Sequence, residues 1–406
     1  MEYPPLVIPQ TLAAGPGPGN TDPRVLERLY QTGVADHMQK DVVRGMVEAK
    51  MMLRKVFGTK NVHTFGVAGT GFSGLDCMLS LIHPGDKVVA FVNGTFSGID
   101  GLTIRMKAAT QEELAADSLN PQTANVIIVD IPHGQSVTGN IVDEALAEHK
   151  PMWAFMAHWE TGSGRVNDVQ GFNNACAKHG ALGLVDAVSS LGIEDFDIDE
   201  YPAVVAWASC PQKGILCLPL TYAPVSFRDE AIELLKQRGC RTYGHHPILE
   251  ARHWGIINGE DGAPTYHRTH SCYSVAAFHE ALRILLGYGR AQKAVDYAYH
   301  EKALRQAVEA MGCEVTSNMT SLVVLNLPGK LAGSEKDLVA ACREQNFGIW
   351  PTLSSPVQVR IGILNQLNQD AITDIVGRFA DAMLKMGAGF NKEKVMQGLA
   401  EYYSAN

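Results

Sequence analysis

Two stretches decide the fold. Leu184-Val185-Asp186-Ala187-Val188-Ser189-Ser190 closes an apolar run on an aspartate, and Val204-Val205-Ala206-Trp207 runs on through Ala208-Ser209-Cys210-Pro211-Gln212 to Lys213-Gly214. Short runs that are apolar on both faces are the signature of strands buried between two helix layers. In open α/β sheets the carboxyl ends of such strands border the ligand crevice. An aspartate there can simply cap the next helix, and a lone lysine is usually solvated. Asp186 and Lys213 stand 27 residues apart, a gap that the spacing reads as one strand and one helix, so both can face one crevice.

Outward from this pair the pattern continues. Lys87–Val92, Val126–Val129, Trp153–Met156 and Leu182–Val185 are further strand-like runs, with helical spacing between them, as over Val169–Lys178. This alternation predicts an α/β domain. The Gly/Pro-rich opening, ending Gly15-Pro16-Gly17-Pro18-Gly19-Asn20, predicts an extended arm rather than helix or regular strand. Beyond Tyr273 the character changes. Helices are expected over Val275–Leu286, Gln292–Met311, Glu335–Gln345 and Ala371–Lys385, with strands at Glu314–Thr316 and Leu322–Leu325. The expected organisation is an arm (1–21), a large domain (22–272) and a smaller α+β domain (273–406).

Composition narrows the function. The 406 residues are 46% hydrophobic and 19% charged, which excludes wholesale disorder, and a net charge of −9 argues against a nucleic-acid surface. No apolar run reaches the roughly 20 residues of a membrane span. The N-terminus does not read as a secretory leader and Ser404-Ala405-Asn406 is not a peroxisomal tail, so a cytoplasmic location is expected. The eight cysteines are scattered without a Cys-x-x-Cys pair, and no two histidines stand at metal-binding helical spacing. We therefore expect reduced thiols and no metal.

Two further features carry chemistry. Val67-Ala68-Gly69-Thr70-Gly71-Phe72-Ser73-Gly74 is a glycine-rich turn opening a helix-like stretch, suited to phosphate. It matches no nucleoside-triphosphate loop, and no clear strand is legible before it. A crevice holding a lysine amine and a carboxylate beside an anion-binding turn is what pyridoxal phosphate requires. The lysine forms a Schiff base, the carboxylate keeps the pyridine nitrogen protonated, and the turn holds the phosphate. Finally, Arg360 stands in the apolar stretch Val357–Gly362, where it needs an anionic partner. That partner is either a structural carboxylate or a substrate carboxylate clamped bidentately.

On these residues the chain resembles the class V, fold-type I aminotransferases of the alanine–glyoxylate, serine–glyoxylate and serine–pyruvate group. The likeness runs from Gly15–Asn20 to Arg360-Ile361-Gly362, and is most specific over Val185–Ser190 and Gln212-Lys213. It implies a mainly parallel seven-stranded sheet between helix layers. It also implies a ping-pong transfer of the amino group of a small L-amino acid to an oxo acid such as glyoxylate or pyruvate. Lys213 would hold the cofactor as an internal aldimine and shuttle a proton, Asp186 would pair with the pyridinium, and Val188 would pack under the ring. Thr70, Gly71, Phe72 and Gln212 fall at phosphate positions, Phe96 at the stacking aromatic, and Thr161 near the ring oxygen. Tyr266 and Thr269 match residues reaching the phosphate of a neighbouring subunit, which implies a homodimer with shared sites. Arg360, with Gly17, would hold the substrate carboxylate.

Several residues depart from the family pattern. Leu218-Pro219-Leu220 stands where Pro-Pro-Gly is usual, Arg268 replaces a histidine, and Trp159 and the His270–Tyr273 segment are unusual. Arg268 is either a structural ion pair or a second anion site suited to a dicarboxylate, sulfonate or phosphonate amine. A lyase on the same scaffold is the alternative activity, although desulfuration is disfavoured because Cys342 reads as part of a helix. A non-enzymatic cofactor-binding domain would more often have lost Lys213 or Asp186.

Overall fold

The computed structural model describes residues 4–8, 10–33, 35–216, 221–353 and 356–405. Leu218-Pro219-Leu220 lies outside the described residues. Two compact units emerge, one spanning Thr21–Val295 and the other combining the chain up to Asn20 with Asp296–Asn406.

In the first unit, helices α1 (Pro23–Gln31) and α2 (Lys40–Phe57) precede a seven-stranded sheet. Its strands are β1 (His63–Ala68), β2 (Val88–Val92), β3 (Val126–Asp130), β4 (Trp153–Ala157), β5 (Leu182–Asp186), β6 (Val204–Ala208) and β7 (Tyr222–Phe227). The spatial order is β1-β7-β6-β5-β4-β2-β3, and β7 alone runs against its neighbours. Every residue of β4, β6 and β7 is buried, which is why those runs are apolar on both faces. Helices α3 (Gly71–Leu79) and α4 (Thr95–Ala108) follow β1 and β2.

The structure adds two strands that periodicity hid. β1 carries His63, Thr64 and Gly66, and β7 carries Pro224, which argues against a central strand. Gly66 is a packing requirement, since a Cβ there would stand 2.7 Å from the Cβ of Tyr222 on β7. The strand missing before the glycine-rich turn is therefore present as β1. Between Asp186 and Lys213 there is no α-helix, only a 3-10 turn at Ile198–Glu200 before β6.

The unit also holds α5 (Cys272–Tyr288), which packs on α1 and α2. Gly45 of α2 faces Val275 closely enough that a Cβ would be 3.2 Å from it. This packing moves the division of the chain from the expected 272/273 to 295/296, inside the helix Arg290–Ala310.

The second unit contains a four-stranded antiparallel sheet of β8 (Glu314–Val315), β9 (Leu322–Asn326), β10 (Trp350–Pro351) and β11 (Val359–Gly362), in the order β8-β9-β11-β10. Helices Glu335–Glu344, Gln369–Lys385 and Lys392–Ala405 accompany it. The opening segment is not wholly irregular, because Leu12–Ala13 pairs in parallel with Phe347–Gly348. It joins this unit rather than standing as a separate arm.

Candidate active site

Strand register assembles the site. Ala157, Asp186 and Ala208 lie side by side at the carboxyl ends of β4, β5 and β6. Thr161 and Lys213 follow four and five residues beyond those ends, so three neighbouring strands deliver hydroxyl, carboxylate and amine to one edge. The Lys213 amine is buried, 2.8 Å from Ser189 Oγ and 3.2 Å from Thr161 Oγ1. Its Nζ stands 5.4 Å from the centroid of the Phe96 ring, which the first turn of α4 supplies.

Asp186 is equally buried and accepts a 2.6 Å hydrogen bond at Oδ1 from the N–H of Val188. Burial pushes its carboxyl above the ordinary carboxylate range, opposed by the Val188 hydrogen bond and the charge of Lys213. His158, whose N–H donates to the carbonyl of Asp186, is held neutral by burial, at about 3.

The anion-binding turn lies under the same edge. Thr70 precedes α3 without a side-chain cap, leaving first-turn N–H groups and the positive dipole end available. Gly71 is required by contact, since a Cβ would fall 3.0 Å from Val188 Cγ2 and 3.1 Å from Cys210 Cβ. Phe72 is half exposed. The Gln212 amide oxygen is buried and meets no donor among the described residues. A buried amine, a buried carboxylate and an uncapped helix start are the groups that pyridoxal phosphate needs, and the residues fit it.

Other expected residues fall elsewhere. Tyr266 and Thr269 form an exposed pair, 3.3 Å apart through their hydroxyls. Arg360 and Gly17 belong to the second unit. Arg360 is buried on β11 and donates to the carbonyl of Pro351 at 2.8 Å. The segment leading to Gly17 runs along that strand's end, where Gly362 N–H donates to Ala14 and a Cβ on Gly362 would collide with the carbonyl of Gly15. Arg268 is engaged by the fully buried Glu250, at 2.6 and 2.8 Å to its two oxygens, which favours the ion-pair reading over a second anion site.

Three residues escaped the sequence reading. Ser189 lay inside the quoted motif, but nothing in spacing points its hydroxyl at Lys213. Glu160 and Asp100 were legible only as acids among apolar neighbours. Glu160 accepts from the N–H groups of Ser97 (2.7 Å), Phe96 (3.4 Å) and Gly162, so it holds the turn that carries the stacking ring. Cβ atoms at Gly94 or Gly162 would invade it.

The edge of this sheet and its lysine define a pyridoxal-phosphate-dependent transferase of fold type I. The structure matches that of ureidoglycine–glyoxylate aminotransferase from Bacillus subtilis with a TM-score of 0.87 at 22% identity, covering 98% of this chain and 99% of the other. The aminotransferase class-V family model matches residues 102–214. Alanine–glyoxylate aminotransferase of Oryctolagus cuniculus is 30% identical over 291 residues, 70% of this chain and 68% of the relative. The (S)-ureidoglycine–glyoxylate transaminase of Bacillus subtilis (strain 168) is 24% identical over 98% of this chain and 96% of its own length. The chain belongs to the class V aminotransferase family and is a pyridoxal-phosphate-dependent transaminase. No helix among the described residues is long and apolar enough to cross a membrane.

Proposed function

We propose that the chain moves the amino group of a small L-amino acid to glyoxylate, or to a similar oxo acid such as pyruvate, in two half-reactions at Lys213. The observation that carries this reading is the buried Lys213 amine, held by Ser189 and Thr161 beneath Phe96 and beside Asp186. Glyoxylate as acceptor draws support from the activities for which the relatives are named.

When bound, the cofactor supplies an electron sink for the charge left at the substrate Cα. The protein does the rest. Lys213 Nζ carries the proton to and from the substrate, with the two hydroxyls fixing its direction. Asp186 would pair with the ring nitrogen, Phe96 and Val188 would pack against the ring, and Thr161 would meet the ring oxygen. Thr70, Gly71, Phe72 and Gln212 would hold the phosphate. Tyr266 and Thr269, exposed and paired, reach the phosphate of a second copy, which makes the working form a homodimer. Arg360, assisted by the backbone at Gly17, clamps the substrate carboxylate.

Desulfuration is disfavoured, because Cys313 and Cys342 are buried and burial pushes both thiols up to about 12. A visible absorbance scan with single L-amino acids, and no acceptor, tests the proposal. Loss of the aldehyde-form band, restored by glyoxylate or pyruvate, is expected and also names the donor. A band that stays while oxo acid and ammonia accumulate identifies a lyase instead.

A further inference from the structure

Beneath the site lies an acid that the proposed mechanism does not use. Asp100 sits on α4 one helical turn after Phe96, on the same face of the helix. It is 2% exposed, and its carboxyl lies within hydrogen-bonding reach of the Asp186 carboxyl. Two carboxylates cannot both be ionised in contact in a buried site, so the pair shares one proton. The other charged groups acting on the pair are Glu160, a third buried acid, and Lys213, whose charge acts on Asp186.

The surroundings decide which member holds the proton. Asp186 accepts the Val188 N–H at 2.6 Å and feels the lysine. Asp100 Oδ2, by contrast, is buried and accepts from no donor among the described residues. Among the described residues no neighbour stabilises a negative charge on Asp100, whereas the Val188 N–H and Lys213 do so on Asp186.

We propose that Asp100 is a positioning residue that carries the shared proton as a neutral acid, donates its O–H to Asp186, and so keeps Asp186 the ionised member. This rests on the reading that Asp186 faces the cofactor's ring nitrogen. Burial and the charges of Asp186 and Glu160 all hold Asp100 well above the ordinary carboxylate range, in the same sense. The consequence is a net single charge on the pair, matched to one pyridinium. The same helix then supplies the stacking ring and the proton that tunes its counter-ion.

The test compares full-length chains carrying Asp100→Asn, Asp100→Ala, Asp186→Asn or Asp186→Ala with the parent. Infrared difference spectra of the cofactor-free proteins at neutral pH read the carboxylic-acid C=O stretch. The dissociation constant for pyridoxal phosphate is measured by equilibrium dialysis. The expected result is a carboxylic-acid band present in the parent and in Asp186→Asn but lost in Asp100→Asn. Asp100→Ala weakens cofactor binding about tenfold or more, through loss of a hydrogen bond to a charged group. Asp100→Asn, whose amide still donates, recovers most of that loss. A band that survives in Asp100→Asn, or parental binding in Asp100→Ala, overturns the proposal. If Asp186→Ala also binds as the parent does, the reading of Asp186 itself has failed. If Asp186→Ala loses binding and Asp100→Ala does not, only the role of Asp100 falls. Should Asp100→Ala fail to fold, the infrared comparison on the near-isosteric Asp100→Asn still decides.

Discussion

Two buried polar clusters in the same unit make an instructive pair. One gathers three acids, Asp186, Asp100 and Glu160, with Lys213 acting on Asp186. The other sets one acid, Glu250, against the guanidinium of Arg268, with His253, His267 and His270 nearby. In the second, charge is balanced inside the protein. His270 and His253 hydrogen bond ring to ring at 3.1 Å, and His253 continues to the carbonyl of Thr265. The first carries more acid than base, and its amine donates to the hydroxyls of Ser189 and Thr161. Burying unbalanced charge is costly unless something completes it. The difference marks the first cluster as built for an incoming cationic ring and the second as built for the fold.

The largest expected effect tests that division directly. Lys213→Ala should lower turnover roughly 10⁴-fold or more while leaving the melting temperature at or above the parent's. Steady-state assay beside thermal denaturation reads both, and a marked loss of stability without loss of activity breaks the comparison. Arg268→Met should do the reverse. Stranding the buried Glu250 costs about 3 kcal/mol, and adding Glu250→Leu should restore most of it. Denaturant titration of the single and double variants checks this, with little change expected in turnover per folded molecule.

Glu160 sharpens the distinction, because it belongs to the acid-rich cluster yet is saturated by backbone donors. Glu160→Gln should therefore cost stability, about 1–3 kcal/mol. Cofactor retention should fall as well, through the Phe96 turn, and dialysis against buffer would reveal it. The smallest effect is a pH slope. Burial holds His253 down to about 4, whereas the unfolded chain takes up this proton near 6.5. Stability attributable to His253 is thus lost progressively as pH falls from about 6.5 to about 4. His253→Gln should flatten, without abolishing, the fall of melting temperature with pH in that window, since His158 adds a similar slope.

The balance between the clusters also explains what could be read in advance. Asp186, Lys213, Phe96 and Thr161 each follow a strand of plain apolar pattern, and parallel register carries all of them to one edge. The five strands with continuous apolar runs were legible for the same reason. β1 and β7 were not, because their glycine and proline answer to each other across the sheet, Pro224 lying opposite Gly66. Asp100 and Glu160 were invisible as partners because the contacts that define them link segments far apart in the chain. The pairing of Arg268 with Glu250 was equally beyond spacing, and so was the allegiance of α5 to α1 and α2.

One feature of the backbone bears on rate. Gly214, next to Lys213, is pressed so closely on Leu191 and Gly192 that a Cβ would overlap the carbonyl of Leu191, and its own carbonyl accepts from Lys293 Nζ at 2.6 Å. The root of the lysine is therefore pinned, and the amine explores only what its own side-chain torsions permit. Confining a nucleophile in this way raises its effective molarity toward anything bound at the sheet edge. A looser anchor would dilute the amine without moving a single catalytic group.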